Sequence, residues 1–104
     1  VMHERPVGRG YVHLRETGAG PWPGGPGAGT IRAHEFHYSS VENLPADTVF
    51  AYRVERGHGV DGRHDGIVHR NVLASYTHLR GVGADAWAPR FVAFVRARRY
   101  RHAA

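Results

Sequence analysis

The sequence contains no cysteine and no lysine. The first absence excludes disulfide staples, thiolate zinc sites and, within these residues, a cysteine nucleophile. The second excludes a P-loop lysine and a Schiff-base lysine. Long apolar runs are also missing. No stretch approaches the ~20 apolar residues that cross a bilayer as a helix. The opening Val1-Met2-His3-Glu4-Arg5 lacks the basic-then-apolar pattern of a secretion signal. These absences lead to the expectation of a cytoplasmic protein with no membrane partner. A first residue other than Met reads as a chain cut at its N-terminus.

What is present is a globular composition. Of 104 residues, 41% are hydrophobic and 22% charged, which suits one domain or a piece of one. Fourteen Gly and six Pro demand much turn and loop. All fourteen basic residues are Arg, set against nine acidic residues, for a net charge of +5 with His neutral. Nine His add positive charge near and below pH ~6.5. This balance suits nucleic acid or an anionic small molecule.

Hydrophobic periodicity organises the chain. Residues 8–17 alternate, with Val12 and Leu14 on the side expected to be buried, so they read as a strand. Residues 18–29, with six Gly and three Pro, read as a surface loop that Trp22 pins to the body. Residues 30–39 and 48–55 read as two more strands. In the second of these, Phe50, Tyr52 and Val54 form the apolar face. Residues 56–66 read as a Gly-rich loop. Residues 67–76 read as one or two strands broken at Arg70-Asn71, with His78 just past the strand end. Trp87, Phe91, Phe94 and Val95 make one helical stripe, so a helix is expected over about 85–101, with Asp85 as N-cap and Pro89 in the first turn. The expectation is a four-strand sheet with one helix on one face. The other face then needs a partner, either missing residues or a second copy in a homo-oligomer.

Three constellations could carry chemistry. The densest is His34-Glu35-Phe36-His37-Tyr38-Ser39-Ser40. A metal reading fails on geometry, because a strand sends His34 and His37 to opposite faces and the helical zincin spacing is absent. The expected metal set is therefore none, and the segment stands as a half-buried strand or a substrate-binding segment. The second is Ser75-Tyr76-Thr77-His78. His78 lies where α/β folds place functional groups and could serve as base for a nucleophile held elsewhere. Ser75 and His78 face opposite sides of a strand and do not make a Ser/His pair. The third is the tail Arg96 to His102, whose Arg and Tyr mixture admits nucleic-acid contact but lacks a second basic stripe with aromatic platforms.

Residues 34–40 (HEFHYSS) after Gly29-Thr30-Ile31-Arg32, together with residues 71–79 (NVLASYTHL), resemble the C-terminal end of cobyrinic acid a,c-diamide synthases. Arg5 to Tyr11 and the helix opening Ala88-Pro89-Arg90-Phe91-Val92 are similar to that family as well, so the resemblance covers nearly the whole chain. It implies an α/β fold of the class I glutamine amidotransferase kind. Residues 1–104 would be its C-terminal portion: mixed, mainly antiparallel strands followed by one C-terminal helix. It also implies an ATP-dependent, glutamine-hydrolysing amide ligase of cobalamin biosynthesis. ATP and Mg would bind in a missing N-terminal domain, and this chain would hold no cofactor itself. The partners implied are glutamine, a tetrapyrrole polycarboxylate and the missing ATP-binding and Cys-bearing segment.

By position, His78 matches the family's His that activates the Cys nucleophile, and His37, Tyr38 and Ser39 match a segment beside the glutamine pocket. Without the Cys, the chain alone is expected to be inactive. Family members often read His-Leu-His where this chain has His78-Leu79-Arg80. That difference, with Gly8-Arg9-Gly10-Tyr11, suits a branch thought to amidate sirohaem rather than cobyrinate. Two other readings remain: a non-catalytic tetrapyrrole-binding or interaction module, and an Arg-rich nucleic-acid-binding domain.

Overall fold

The computed structural model describes residues 1–22, 29–79 and 87–103. Arg80, Asp85, most of the Gly/Pro-rich loop and the side chains from Tyr100 onward lie outside the described residues. The elements are β1 (Gly8–Glu16), β2 (Ile31–His37), β3 (Val49–Arg56), β4 (His64–His69), β5 (Val72–Ala74), β6 (His78–Leu79) and α1 (Ala88–Ala103). The six strands form one sheet in the order β5-β4-β3-β1-β2-β6. Every pairing in it is antiparallel. Mainly antiparallel strands followed by one C-terminal helix were expected and are found; the expected four strands are corrected to six among the described residues. β1–β2, β3–β4 and β4–β5 are antiparallel neighbours that follow one another in the chain, while the link from β2 to β3 skips across β1 and the link from β5 to β6 joins the two edges.

Chain length forces this sheet to curl. Its two edges, β5 and β6, are joined by only three residues, Ser75 to Thr77. Four Cα steps reach at most about 15 Å. A flat six-strand sheet would set its edges about 24 Å apart. The sheet therefore bends round until its first and last strands approach each other, and its concave side becomes the core.

Alternation decides what enters that core. β2 reads buried, exposed, buried along its whole length, as expected. Val12 and Leu14 on β1 are fully buried and pack with Ile31, Ala33, Ala51 and Tyr52. Each such aliphatic side chain contributes about 1.5–3 kcal/mol on burial. Tyr52 faces inward as expected, but Ala51 on the opposite side of β3 is buried too. Gly20, at the start of the loop, passes over its methyl group.

The break expected at Arg70-Asn71 is a two-residue hairpin turn between the paired residues His69 and Val72, with Arg70 at φ 54°. The helix begins at Ala88 and runs to Ala103, with Pro89 in its first turn. It is held at its N-terminal half. Trp22 packs edge-on against Phe91 at 5.0 Å and beside Phe94 at 5.8 Å. Trp87 Nε1 donates to Leu79 O, and Arg90 pairs with Glu16 at 2.9 Å. Of the expected stripe, Val95 remains 46% exposed. No helix among the described residues is long and apolar enough to cross a membrane.

Gly66 on β4 has no room for a side chain. Its φ is +72°, and a Cβ there would lie 2.7 Å from Tyr52 Cδ2 and 3.0 Å from Leu73 Cδ1. Gly66→Ala combines a left-handed backbone with overpacking and is expected to cost about 1–3 kcal/mol. A lowered thermal midpoint would show it; an unchanged midpoint would contradict the packing described.

Candidate functional site

The two faces of β2 carry two separate sets of polar side chains. On the outer face Tyr11, His34 and His78 stand in register across β1, β2 and β6. The rings of Tyr11 and His34 are 6.0 Å apart and those of His34 and His78 6.1 Å apart. Phe36 and Tyr38 continue this face, edge to face at 5.6 Å. Tyr11 is 77% and Phe36 50% exposed, so the face expected to lack a cover does present aromatic rings to solvent.

The inner face holds a closed polar network. Glu35 is 1% exposed, yet its carboxylate has three donors. Oε1 accepts from the backbone N–H of His58 at 2.7 Å, and Oε2 from Gly59 N–H at 2.9 Å and from His37 Nε2 at 2.9 Å. Burial pushes the Glu35 pKa up, but the bonds from His37, His58 and Gly59 outweigh it and leave it below its ordinary value of 4.5. The other nitrogen of His37, Nδ1, lies 3.1 Å from Ser39 O. Both partners are acceptors, and the ring nitrogen that carries the proton donates to the one it faces. His37 stacks flat on Tyr76 at 3.8 Å, and Tyr76 OH bonds Ser39 Oγ at 2.8 Å. Gly8 lies opposite His37 on β1, and a Cβ there would run into His37 Nε2 and Glu35 Oε2. The absence of a side chain at position 8 is what lets the buried pair fit.

A second buried carboxylate, Asp65, sits on β4 with no exposure. It accepts from Tyr76 N at 3.1 Å, Thr77 N at 2.9 Å and Thr77 Oγ1 at 2.6 Å. Close by, Trp22, Tyr52, Leu73, Thr77, Leu79 and Trp87 line a cleft between the sheet and the start of α1. Tyr52 is pushed up to about 12 by burial and by the charges of Glu16 and Asp65, against an opposing effect of Arg90, so it stays protonated at neutral pH.

The structure therefore brings His37 and Ser39 together through Tyr76, while Tyr38 lies on the other side of the strand. His78 is exposed on the edge strand, away from His37 and beside His34. Ser75 gives its hydroxyl to Thr77 O and is not paired with His78. His34 and His37 lie on opposite faces, as strand alternation demands. Among the described residues no group of three His, Asp or Glu side chains could hold a metal ion. Sequence spacing assigns no role of their own to Glu35, Asp65 or Tyr76, which the structure places at the centre of these networks. Asp65-Gly66 carries a local turn signal, and nothing local marks its carboxylate as a buried acceptor.

The family profile of the CobB/CobQ-like glutamine amidotransferase domain matches residues 1–84, and the chain belongs to this family. The cobyrinate a,c-diamide synthase of Magnetococcus marinus is 50% identical over 98 residues, which is 94% of this chain and 21% of that protein. The cobyrinate a,c-diamide synthase of Halobacterium salinarum is 44% identical over 78 residues, 75% of this chain and 17% of the relative. That of Archaeoglobus fulgidus is 48% identical over 62 residues, covering 60% and 13%. The chain thus spans about a fifth or less of the length of these relatives. No solved structure matches it.

Proposed function

We propose that these residues are the His-bearing C-terminal portion of a glutamine amidotransferase domain of class I type, working in an ATP-dependent ligase that amidates tetrapyrrole carboxylates. The observation that carries this reading is His78: an exposed imidazole on an edge strand, in a chain whose relatives are named cobyrinate a,c-diamide synthases. In the reaction, His78 takes the proton from a Cys thiol supplied by residues outside this chain. A thiol is mostly protonated at pH 7, and an adjacent imidazole makes the attacking thiolate. The thiolate adds to the glutamine carboxamide carbon, ammonia leaves with the proton His78 returns, and water then releases glutamate from the thioester. The ammonia attacks a tetrapyrrole carboxylate activated as an acyl phosphate. ATP and Mg belong to residues outside this chain, and the setting is the cytoplasm. Of the three residues expected beside the glutamine site, Tyr38 shares the outer face with His78 and borders that site, while His37 and Ser39 support the strand from its inner face. Cobyrinate is the first substrate to test, and a sirohaem-type macrocycle the second.

The test supplies the complete protein with ATP, Mg and cobyrinic acid or a sirohaem-type acid, and either glutamine or free ammonia. An amidated macrocycle from both nitrogen sources is the expected product. The 104 residues alone should release no ammonia from glutamine. Release by the isolated chain, or amidation of neither macrocycle, would overturn the proposal.

A further inference from the structure

We propose that Asp65 is the positioning residue for His78: its buried carboxylate clamps Tyr76 and Thr77, and so fixes where the next residue presents its imidazole. The inference rests on the assignment of His78 as the base.

Three observations support it. The clamp is concentrated, because one fully buried carboxylate takes donors from two consecutive residues, Tyr76 N, Thr77 N and Thr77 Oγ1. Hydrogen bonds to a charged acceptor are short and directional, and they resist rotation of the peptide they hold. The clamp also sits at a junction. The β4–β5 register, in which Ile67 pairs with Ala74, carried two residues further sets Asp65 opposite Tyr76. Asp65 therefore holds the chain where it leaves the β4–β5 hairpin, just before it passes to β6 on the other edge of the sheet. Finally, β6 is weakly held by itself. It is two residues long, pairing Leu79 with Ala33 and His78 with His34. So short a strand has little stability of its own.

The direction of the side chains links the clamp to the base. Thr77 is 4% exposed and points inward to Asp65. Its successor therefore points outward, which is where His78 stands. Tyr76 is held a second time, stacked on His37 and bonded to Ser39. The peptide that carries His78 is thus gripped by Asp65 on the segment leading into it and by β2 alongside it. Proton transfer needs the base within about 2.6–3.2 Å of its partner. A shift of about 1 Å can cost 10²-fold.

The test compares Asp65→Asn, Thr77→Val, Thr77→Ser and His78→Ala in the complete protein, measuring glutamine-driven and ammonia-driven amidation. Asparagine turns an NH2 toward backbone N–H donors. Valine keeps the shape of threonine but loses the hydroxyl, and serine keeps the hydroxyl. Asp65→Asn and Thr77→Val should lower glutamine-driven turnover by about 10- to 100-fold while Thr77→Ser stays within about threefold. Ammonia-driven turnover should stay within about twofold in all of them, since it bypasses the base. If His78→Ala abolishes glutamine use while Asp65→Asn and Thr77→Val keep it, the clamp is not what positions the base and this inference alone falls. If the Asp65 and Thr77 variants, serine included, lose both activities together, Asp65 only holds the fold and the inference is overturned. Should Asp65→Asn fail to fold, the Val and Ser pair decides. Full glutamine use by His78→Ala would remove the functional assignment and this inference with it.

Discussion

Alanine in place of His78 should lower glutamine-driven amidation by the complete protein about 10²–10⁴-fold, the usual worth of a positioned general base. Ammonia-driven amidation should hold within about twofold, because free ammonia enters after the step that needs a thiolate. The structure makes this separation clean. His78 is exposed, and its backbone pairing with His34 does not depend on the imidazole. Truncating an exposed side chain away from caps and networks changes stability by only about 0.5 kcal/mol. A loss in both assays would therefore point to something other than nucleophile activation and would end the assignment of His78 as the base.

Glu35→Ala should have the largest effect on the fold. Removing this carboxylate strands the N–H groups of His58 and Gly59 and leaves His37 without its partner, all in a buried place. Breaking a buried pair from one side costs about 3–5 kcal/mol. Native-state hydrogen exchange should show the His58 and Gly59 amides losing about 10²–10⁴-fold of protection, the same quantity expressed as an opening constant. Protection unchanged from the wild type would mean that the network is not what holds the 57–59 turn against β2.

The same carboxylate sets a pH dependence whose sign follows from its lowered pKa. A group whose pKa is depressed on folding stabilises the fold fully above its unfolded value, here the ordinary 4.5. That contribution is lost as pH falls through the lower folded value. The wild type should therefore lose protection at these amides progressively below pH 4.5. Glu35→Gln keeps the shape without the titration, so its exchange should be lower overall in protection and flatter across that acidic window.

Much of this was legible residue by residue. The alternation in residues 30–39 places Ile31, Ala33, Glu35 and His37 on one side and His34 and Phe36 on the other, and the structure keeps that division. It also parts Tyr38 from His37 and Ser39, three neighbours in sequence that do not share a face. The hairpin at Arg70-Asn71 and the helix carrying Phe91 and Phe94 announce themselves through local chemistry. β6 does not, because His78-Leu79 is too short for a period to show. Asp65 and Glu35 are legible only as acidic residues near glycines. What makes them important is the donors they meet, 11 to 24 residues away in sequence.

The sequence by itself determined what this chain cannot supply and how its strands are sided. Without cysteine it holds imidazoles and no thiol, and two-residue periodicity sorts the strand residues to one face or the other. Only the tertiary structure decided that the sheet curls enough to bring its edges β5 and β6 within reach of a three-residue link. The link itself is local, but it demands a curl only once β6 pairs with β2. That pairing joins segments far apart in sequence, and its energy exists only once they are side by side, so no local window of the sequence contains it.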